Sequence, residues 1–225
     1  MQARIDHLVV GAATLDEGVA WCEATLGVVP GPGGEHPLMG THNRLLRVAT
    51  VDYPQAYLEI IAVQPGRLPQ RTRRWFDLDD EVLQARLRRD GPRLIHLVAQ
   101  VPDARAAVAA LAPAGIDAGE VVQASRLTPR GLLEWQITVR ADGRRLFQGG
   151  LPTLIEWGAV HPAAGMPESG VTLHAVNMRH PDLSALRQAH QAIGLQRVSL
   201  QAGEPALQAV LETPLGRVTL ASGGA

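Results

Sequence analysis

The chain has 225 residues, 46% hydrophobic and 19% charged, with 21 Lys and Arg against 22 Asp and Glu and a formal net charge of -1. This balance excludes a disordered polyelectrolyte and supplies no long-range attraction for nucleic acid or an anionic membrane, so a small molecule is the expected partner. The single cysteine, Cys22, excludes an internal disulfide and a multi-cysteine zinc site.

The chain opens on MQARIDHLVV, whose apolar run is interrupted by Asp6 and His7. It therefore lacks the apolar core of a signal peptide, and a cytoplasmic location is expected. No apolar run approaches the ~20 residues that cross a bilayer.

RIDHLVVGAATLDEGVAWCEATLG reads as a strand, a helix and a terminating glycine. Thr14 and Glu17 form a capping box, and Gly27 supplies a left-handed end. PGPGGEHPLMG reads as a loop; NRLLRVA and QAYLEIIAV are strand-like, with a turn at Asp52 to Pro54. Residues 64–93 form a connector in which Arg67, Arg71, Arg73 and Arg74 are balanced by Asp77, Asp79, Asp80 and Glu81, ending in a helix-like DDEVLQARLRR. It reads as a solvated, salt-bridged linker.

The opening pattern then recurs in RLIHLVAQVPDARAAVAALAPAG and in VTLHAVNMRHPDLSALRQAHQAIG, with Asp103 and Asp182 as N-caps and Gly115 and Gly194 as closing glycines. The separations from histidine to glycine are 20, 19 and 20 residues, the register of one repeated unit. In the second unit LLEWQITV and RRLFQ flank an Asp142-Gly143 hairpin signal, and TLIEWGAV closes the unit. In the third, ALQAVLET and GRVTLAS are strand-like, consistent with a degenerate copy packed beside the others. The predicted organisation is a module at 1–63, a connector at 64–93, a module at 94–162 and a partial module at 171–225.

Glu59 lies in YLEIIAV and Glu156 in TLIEWGAV, both apolar strands where an unpaired charge would cost several kcal/mol, so each needs a partner. His7 and His96 lie in apolar first strands. If first and last strands of a module pair, each His nears its Glu, and a pseudo-twofold brings all four together. They then either bind a metal or pair with one another. His36, His42 and Asn43 sit in or beside the glycine-rich segment and are substrate-binding candidates, as are Arg47 and Trp157. Trp21, Trp75 and Trp135 read as packing residues.

The stretches IDHLVV, GGEHPLMGTHNRLL, YLEIIAV and LIEW followed by HP resemble the glyoxalase-like domain family of the vicinal oxygen chelate superfamily over residues 5–162. The resemblance implies an α+β fold of paired βαβββ modules forming a cup-shaped mixed sheet around a divalent metal, with a partial third C-terminal module added here. It matches His7 and His96 to first-strand metal ligands and Glu59 and Glu156 to last-strand ligands. Without a thiolate the set suits Zn, Ni, Mn, Fe or Co. The expected activity is that of a metal-dependent lyase or isomerase acting on a small substrate with vicinal oxygens, in which Glu59 or Glu156 leaves the metal to move a proton. The alternatives are an Fe(II) extradiol-type dioxygenase and a non-catalytic protein that sequesters a small molecule. His174 is a competing ligand or a remnant, and a homodimer is an open expectation.

Overall fold

The computed structural model describes residues 2–128 and 131–223. Its first module runs β1 (Arg4–Gly11), α1 (Leu15–Leu26), β2 (Gly31–His36), β3 (Thr41–Arg47) and β4 (Tyr57–Val63). A helix α2 (Glu81–Asp90) precedes the second module, β5 (Arg93–Gln100), α3 (Ala104–Leu111), β6 (Glu120–Thr128), β7 (Gly131–Val139) and β8 (Thr153–Trp157). The third comprises β9 (Thr172–His180), α4 (Leu183–Ile193), β10 (Ser199–Ala202), β11 (Ala206–Thr213) and β12 (Gly216–Ala221).

The first two modules form one curled eight-stranded sheet, ordered β2-β3-β4-β1-β5-β8-β7-β6. Within each, the first strand pairs in parallel with the last, β1 with β4 and β5 with β8, and the modules join through antiparallel β1 and β5. The fold is thus the expected α+β cup. The third unit differs: its order, β10-β9-β11-β12, pairs the first strand in parallel with the second strand and antiparallel with the third. It therefore repeats the order of elements but not their pairing.

The helix signals act as read. Thr14, Asp103 and Asp182 accept from the backbone N–H three residues on, and Gly27, Gly115 and Gly194 hold φ of 74, 69 and 66°. Three strand expectations and one for the connector change. Gly31–His36 is an edge strand, not loop, and Glu120–Thr128 is an additional edge strand. Asp142-Gly143 makes a turn but no hairpin, because the following RRLFQ runs into a 3-10 turn at Leu146–Gly149. The connector is only partly solvated, since Phe76 is 3% and Leu78 1% exposed and both join the cup core with Val9, Ile61, Val98 and Ile155. Its surface is salt-bridged as read, through Arg67–Glu35, Arg71–Glu120 and Arg74–Asp79.

The outer face of the sheet is apolar too. Leu8, Val10, Leu58 and Ile60 pack there with α1 and with Leu173, Val176, Leu207 and Leu211 of the four-stranded sheet. Helices α3 and α4 cover the β5–β8 side through Leu111, Leu154, Leu186 and Ile193. Both faces of the strands are therefore buried, as their near-continuous apolar runs require.

Helix α1 approaches the sheet closely because Gly18 has no side chain: a Cβ there would lie 2.5 Å from Ile60 Cγ2 and 3.1 Å from Ala12 Cβ. Alanine is the better helix former by about 1 kcal/mol, yet overpacking a core costs about 1–3 kcal/mol. Gly18→Ala is expected to destabilise the fold, read as a lower urea midpoint at unchanged m-value; a raised midpoint would mean that the helix-to-sheet contact yields.

Candidate functional site

The floor of the cup is built where β1 meets β4. A register shift between Ile5 and His7 places a bulge at Asp6, so Asp6 and His7, neighbours in sequence, both reach into the same polar cluster. Asp6 Oδ1 is 2.6 Å from His7 Nδ1, and its Oδ2 accepts from Trp157 Nε1 at 2.8 Å and His161 Nε2 at 2.9 Å. His161 Nδ1 accepts from the Ala163 N–H, which puts the ring proton on Nε2, facing Asp6. On its other side His7 Nε2 stands 3.6 Å from Glu59 Oε2, and its ring stacks on Tyr57 with centroids 4.5 Å apart.

Glu59 Oε1 accepts from Asn43 Nδ2 at 2.6 Å, while Asn43 Oδ1 accepts from the Gly34 N–H at 2.7 Å. That second bond fixes the amide, so Nδ2 also faces His36 Nε2 at 3.3 Å, and His36 Nδ1 donates to Thr41 Oγ1 at 3.0 Å. The glycine pair has a steric reason: a Cβ on Gly33 would meet Asn43 O at 2.2 Å.

These groups lie out of water, and burial sets the first term of each titration. Burial alone would neutralise Asp6, but hydrogen bonds from His161 and His7 outweigh it and hold the acid down at about 2. Burial would likewise depress His7, yet Asp6 and Glu59 on either side raise it to about 9. Glu59, despite burial, is lowered by His7, His36 and Asn43. His36 is driven down to about 4 by burial; Glu59 pulls it upward, and Arg126, His7 and His42 push it further down. At neutral pH the site therefore holds an imidazolium between two carboxylates and a neutral His36.

The expected four-residue convergence is corrected. Glu59 is the register partner of Val9, two residues past His7, and the equivalent partner of Val98, two past His96, is Thr153. His96 Nε2 contacts Thr153 Oγ1 at 3.0 Å. Glu156 lies three residues further on, an odd step that turns it to the opposite face, where Oε2 accepts the Ala104 N–H and caps α3. His96 faces the cup but is walled off: Trp75 and Phe76 stack at 4.9 Å, Phe76 meets His96 at 5.0 Å and Trp75 meets His36 at 5.1 Å. Burial, followed by Arg145 and His7, drives His96 well below its usual pKa.

Among the described residues no three His, Cys, Asp or Glu side chains converge closely enough to hold a metal ion. The donors offered at His7 and Glu59 thus do not fit the four-ligand site that the family resemblance implied. Of the other candidates, His36, Asn43 and Trp157 line the polar pocket. His42 lies off it, in the strand register opposite to Asn43, while Arg47 lines an adjoining cleft, where it meets Glu168 and the Ala163 carbonyl. His174 is exposed on β9 and joins no site. Asp6, Tyr57, His161 and Arg126 were missed; Asp6 and His161 carried a usable signal, being charged or polar beside apolar strands.

The polar pocket is small, about 40 Å³, and adjoins an open cleft of about 810 Å³ lined by Val28, Val29, Leu132, Leu133, Val160 and Met166. Leu45, Arg126, Leu133 and Pro162 line both. The larger space is lined mostly by apolar residues, and the smaller by His7, His36, Asn43 and Glu59.

A model of the glyoxalase-like domain matches residues 5–194, a span that includes β9 and α4 of the third unit. No curated protein sequence gives a significant match. Among solved structures, a hypothetical protein from Staphylococcus aureus is similar at 13% identity, with 91% of this chain and 88% of that one covered and a TM-score of 0.60. A methylmalonyl-CoA epimerase from Streptomyces coelicolor aligns at 21% identity over 72% of this chain and 99% of its own, with a TM-score of 0.43. A 4-hydroxymandelate synthase variant from the same organism aligns at 17% over 98% and 62%, with a TM-score of 0.48. At these identities the likeness concerns fold alone. No helix among the described residues is long and apolar enough to cross a membrane.

The buried charges tie stability to pH. His7 is raised from 6.5 to about 9, so its contribution is complete below pH 6.5 and lost as pH rises through 9. Asp6 is lowered from 3.8 to about 2, so its contribution is present above pH 3.8 and lost as pH falls through 2. Urea unfolding is expected to lose up to about 3 kcal/mol between pH 6.5 and 9.5 in the wild type and much less in His7→Gln. Equal alkaline slopes in the two proteins would show that His7 is not the group responsible.

Proposed function

Since the chain belongs to the glyoxalase-like domain family, we propose that it is a lyase or isomerase that moves a proton on a small carbonyl substrate bearing adjacent oxygens. The observation that carries this reading is the pair formed by a protonated His7 and an ionised Glu59, 3.6 Å apart at the head of an apolar cleft.

A carbonyl oxygen entering the polar pocket takes the His7 Nε2–H as its hydrogen-bond donor. Glu59 then loses part of the contact that keeps it a weak base, and its basicity rises as the substrate seats. It removes the proton from the carbon next to the carbonyl; the C–H pair forms a C=C bond, the C=O π pair moves onto oxygen, and the developing negative oxygen is stabilised by the imidazolium. Return of the proton to the former carbonyl carbon, with the proton of the adjacent hydroxyl passing to the enolate oxygen, completes an isomerisation; expulsion of a leaving group from the carbon on the far side of the deprotonated one completes an elimination. Asp6 keeps His7 charged and oriented, and Asn43, fixed by Gly34, orients Glu59. No step is assigned to a metal, because Glu156 caps α3 and His96 is partnered by Thr153 behind Phe76.

A second reading, sequestration of a small apolar molecule without chemistry, is favoured by the apolar cleft itself. Solvent-deuterium incorporation into α-hydroxyaldehydes and α-hydroxyketones separates the two. Wild-type protein is expected to catalyse exchange, unchanged by EDTA and falling above pH 9 as His7 deprotonates, while Glu59→Gln loses about 10²–10⁴-fold. Absence of exchange above buffer from pH 5 to 9, with EDTA or with Zn, Ni, Mn or Co supplied, would sink the catalytic reading and leave sequestration.

A further inference from the structure

Arg126 projects from β6, one edge of the eight-stranded sheet, to Gly34 on β2, the other edge. A Cβ at Gly34 would fall 1.7 Å from Arg126 Nη1 and 2.6 Å from Cζ, so the guanidinium occupies the space that this glycine leaves. The two edges of the curled sheet meet there, at the boundary between the polar pocket and the apolar cleft, and Arg126 lines both.

The half-buried guanidinium is incompletely satisfied. Nη1 is buried and has no hydrogen-bond partner, and among the described residues Arg126 enters no ion pair. The other cleft arginine, Arg47, already has an ion-pair partner in Glu168, 3.2 Å from its Nε although without hydrogen-bond geometry there, and its Nη1 donates to the Ala163 carbonyl. Leaving a buried charged donor unpaired costs more than a neutral one, and a planar fork of N–H groups is matched by a carboxylate. A phosphate dianion suits the place less well, because the polar pocket holds only about 40 Å³ and already contains the ionised Glu59. On the cleft side Val29, Leu132 and Val160 remain 60, 54 and 49% exposed, an apolar rim without cover.

We propose that Arg126 is the specificity-determining residue for a monocarboxylate with an apolar tail, whose carboxylate pairs with the guanidinium while the tail lies along the Val29, Leu132 and Val160 cleft. This deepens the reading above by naming the substrate class of the same site, and it rests on that reading only for the reaction, not for binding. Octanoate and its neutral analogue octanamide test it by calorimetric titration, since neither needs to be turned over.

Wild-type protein is expected to bind octanoate about ten-fold or more tightly than octanamide. Arg126→Gln, checked for an unchanged urea midpoint, should lose that preference while keeping octanamide affinity, and Arg126→Lys should keep part of it. Equal affinity of the two probes for the wild type, binding of neither, or an equal loss of both in Arg126→Gln would overturn the assignment. A retained acid preference in a protein that exchanges no deuterium would uphold Arg126 and overturn only the proton-transfer reading.

Discussion

The structure depends on one constraint: two carboxylates and an imidazole, Asp6, Glu59 and His7, lie within a sheet whose two faces are apolar, where none could stand ionised alone. Their positions answer that demand. Asp6 receives His7, Trp157 and His161, and Glu59 receives Asn43 and faces His7. The donors come from β1, β3, β8 and the segment after β8, so folding of both modules completes the neutralisation. Removing one partner leaves a buried charge uncompensated, which makes the cluster as much a structural keystone as a site.

The pseudo-twofold is exact in strand order and broken in chemistry. Register makes Thr153 the counterpart of Glu59, and a hydroxyl beside His96 leaves that half without charge. A second carboxylate and imidazolium in the same cup would add two desolvation penalties without the bulge, tryptophan and histidine that satisfy Asp6. The neutral half is instead packed: Phe76 lies against His96, and Trp75 stacks on Phe76.

What the sequence disclosed follows how local each signal is. Caps at Thr14, Asp103 and Asp182 and the glycines after the helices are decided within four residues, and they were legible. The repeat made the meeting of His7 and Glu59 conditional on the pairing of first and last strands, and that condition is met. Glu156 was misplaced because its face depends on the parity of its offset from Thr153, a property of register that spacing alone does not reveal. Gly31–His36 was hidden as a strand by its glycines, which are there to admit Asn43 and Arg126. Asp6 was overlooked although the reasoning applied to Glu59, a charge inside an apolar strand, applied to it equally.

The connector fills one half of the cup. Phe76 and Asp77 both hold φ of 58°, an uncommon conformation for residues with side chains, as the chain turns to put Phe76 inside while Asp77 pairs with Arg145 at 2.7 Å. Arg145 also donates to the Ile95 carbonyl, on the residue before His96. The segment that fills the second half is thus anchored to the strand carrying His96, and the strained turn is held by an ion pair rather than by packing alone. The apolar cleft adjoins the polar pocket on the side of β2, β3, β6 and β7. On the proposed function, the asymmetry of the cup orients the substrate with its polar end toward His7 and its apolar body outward.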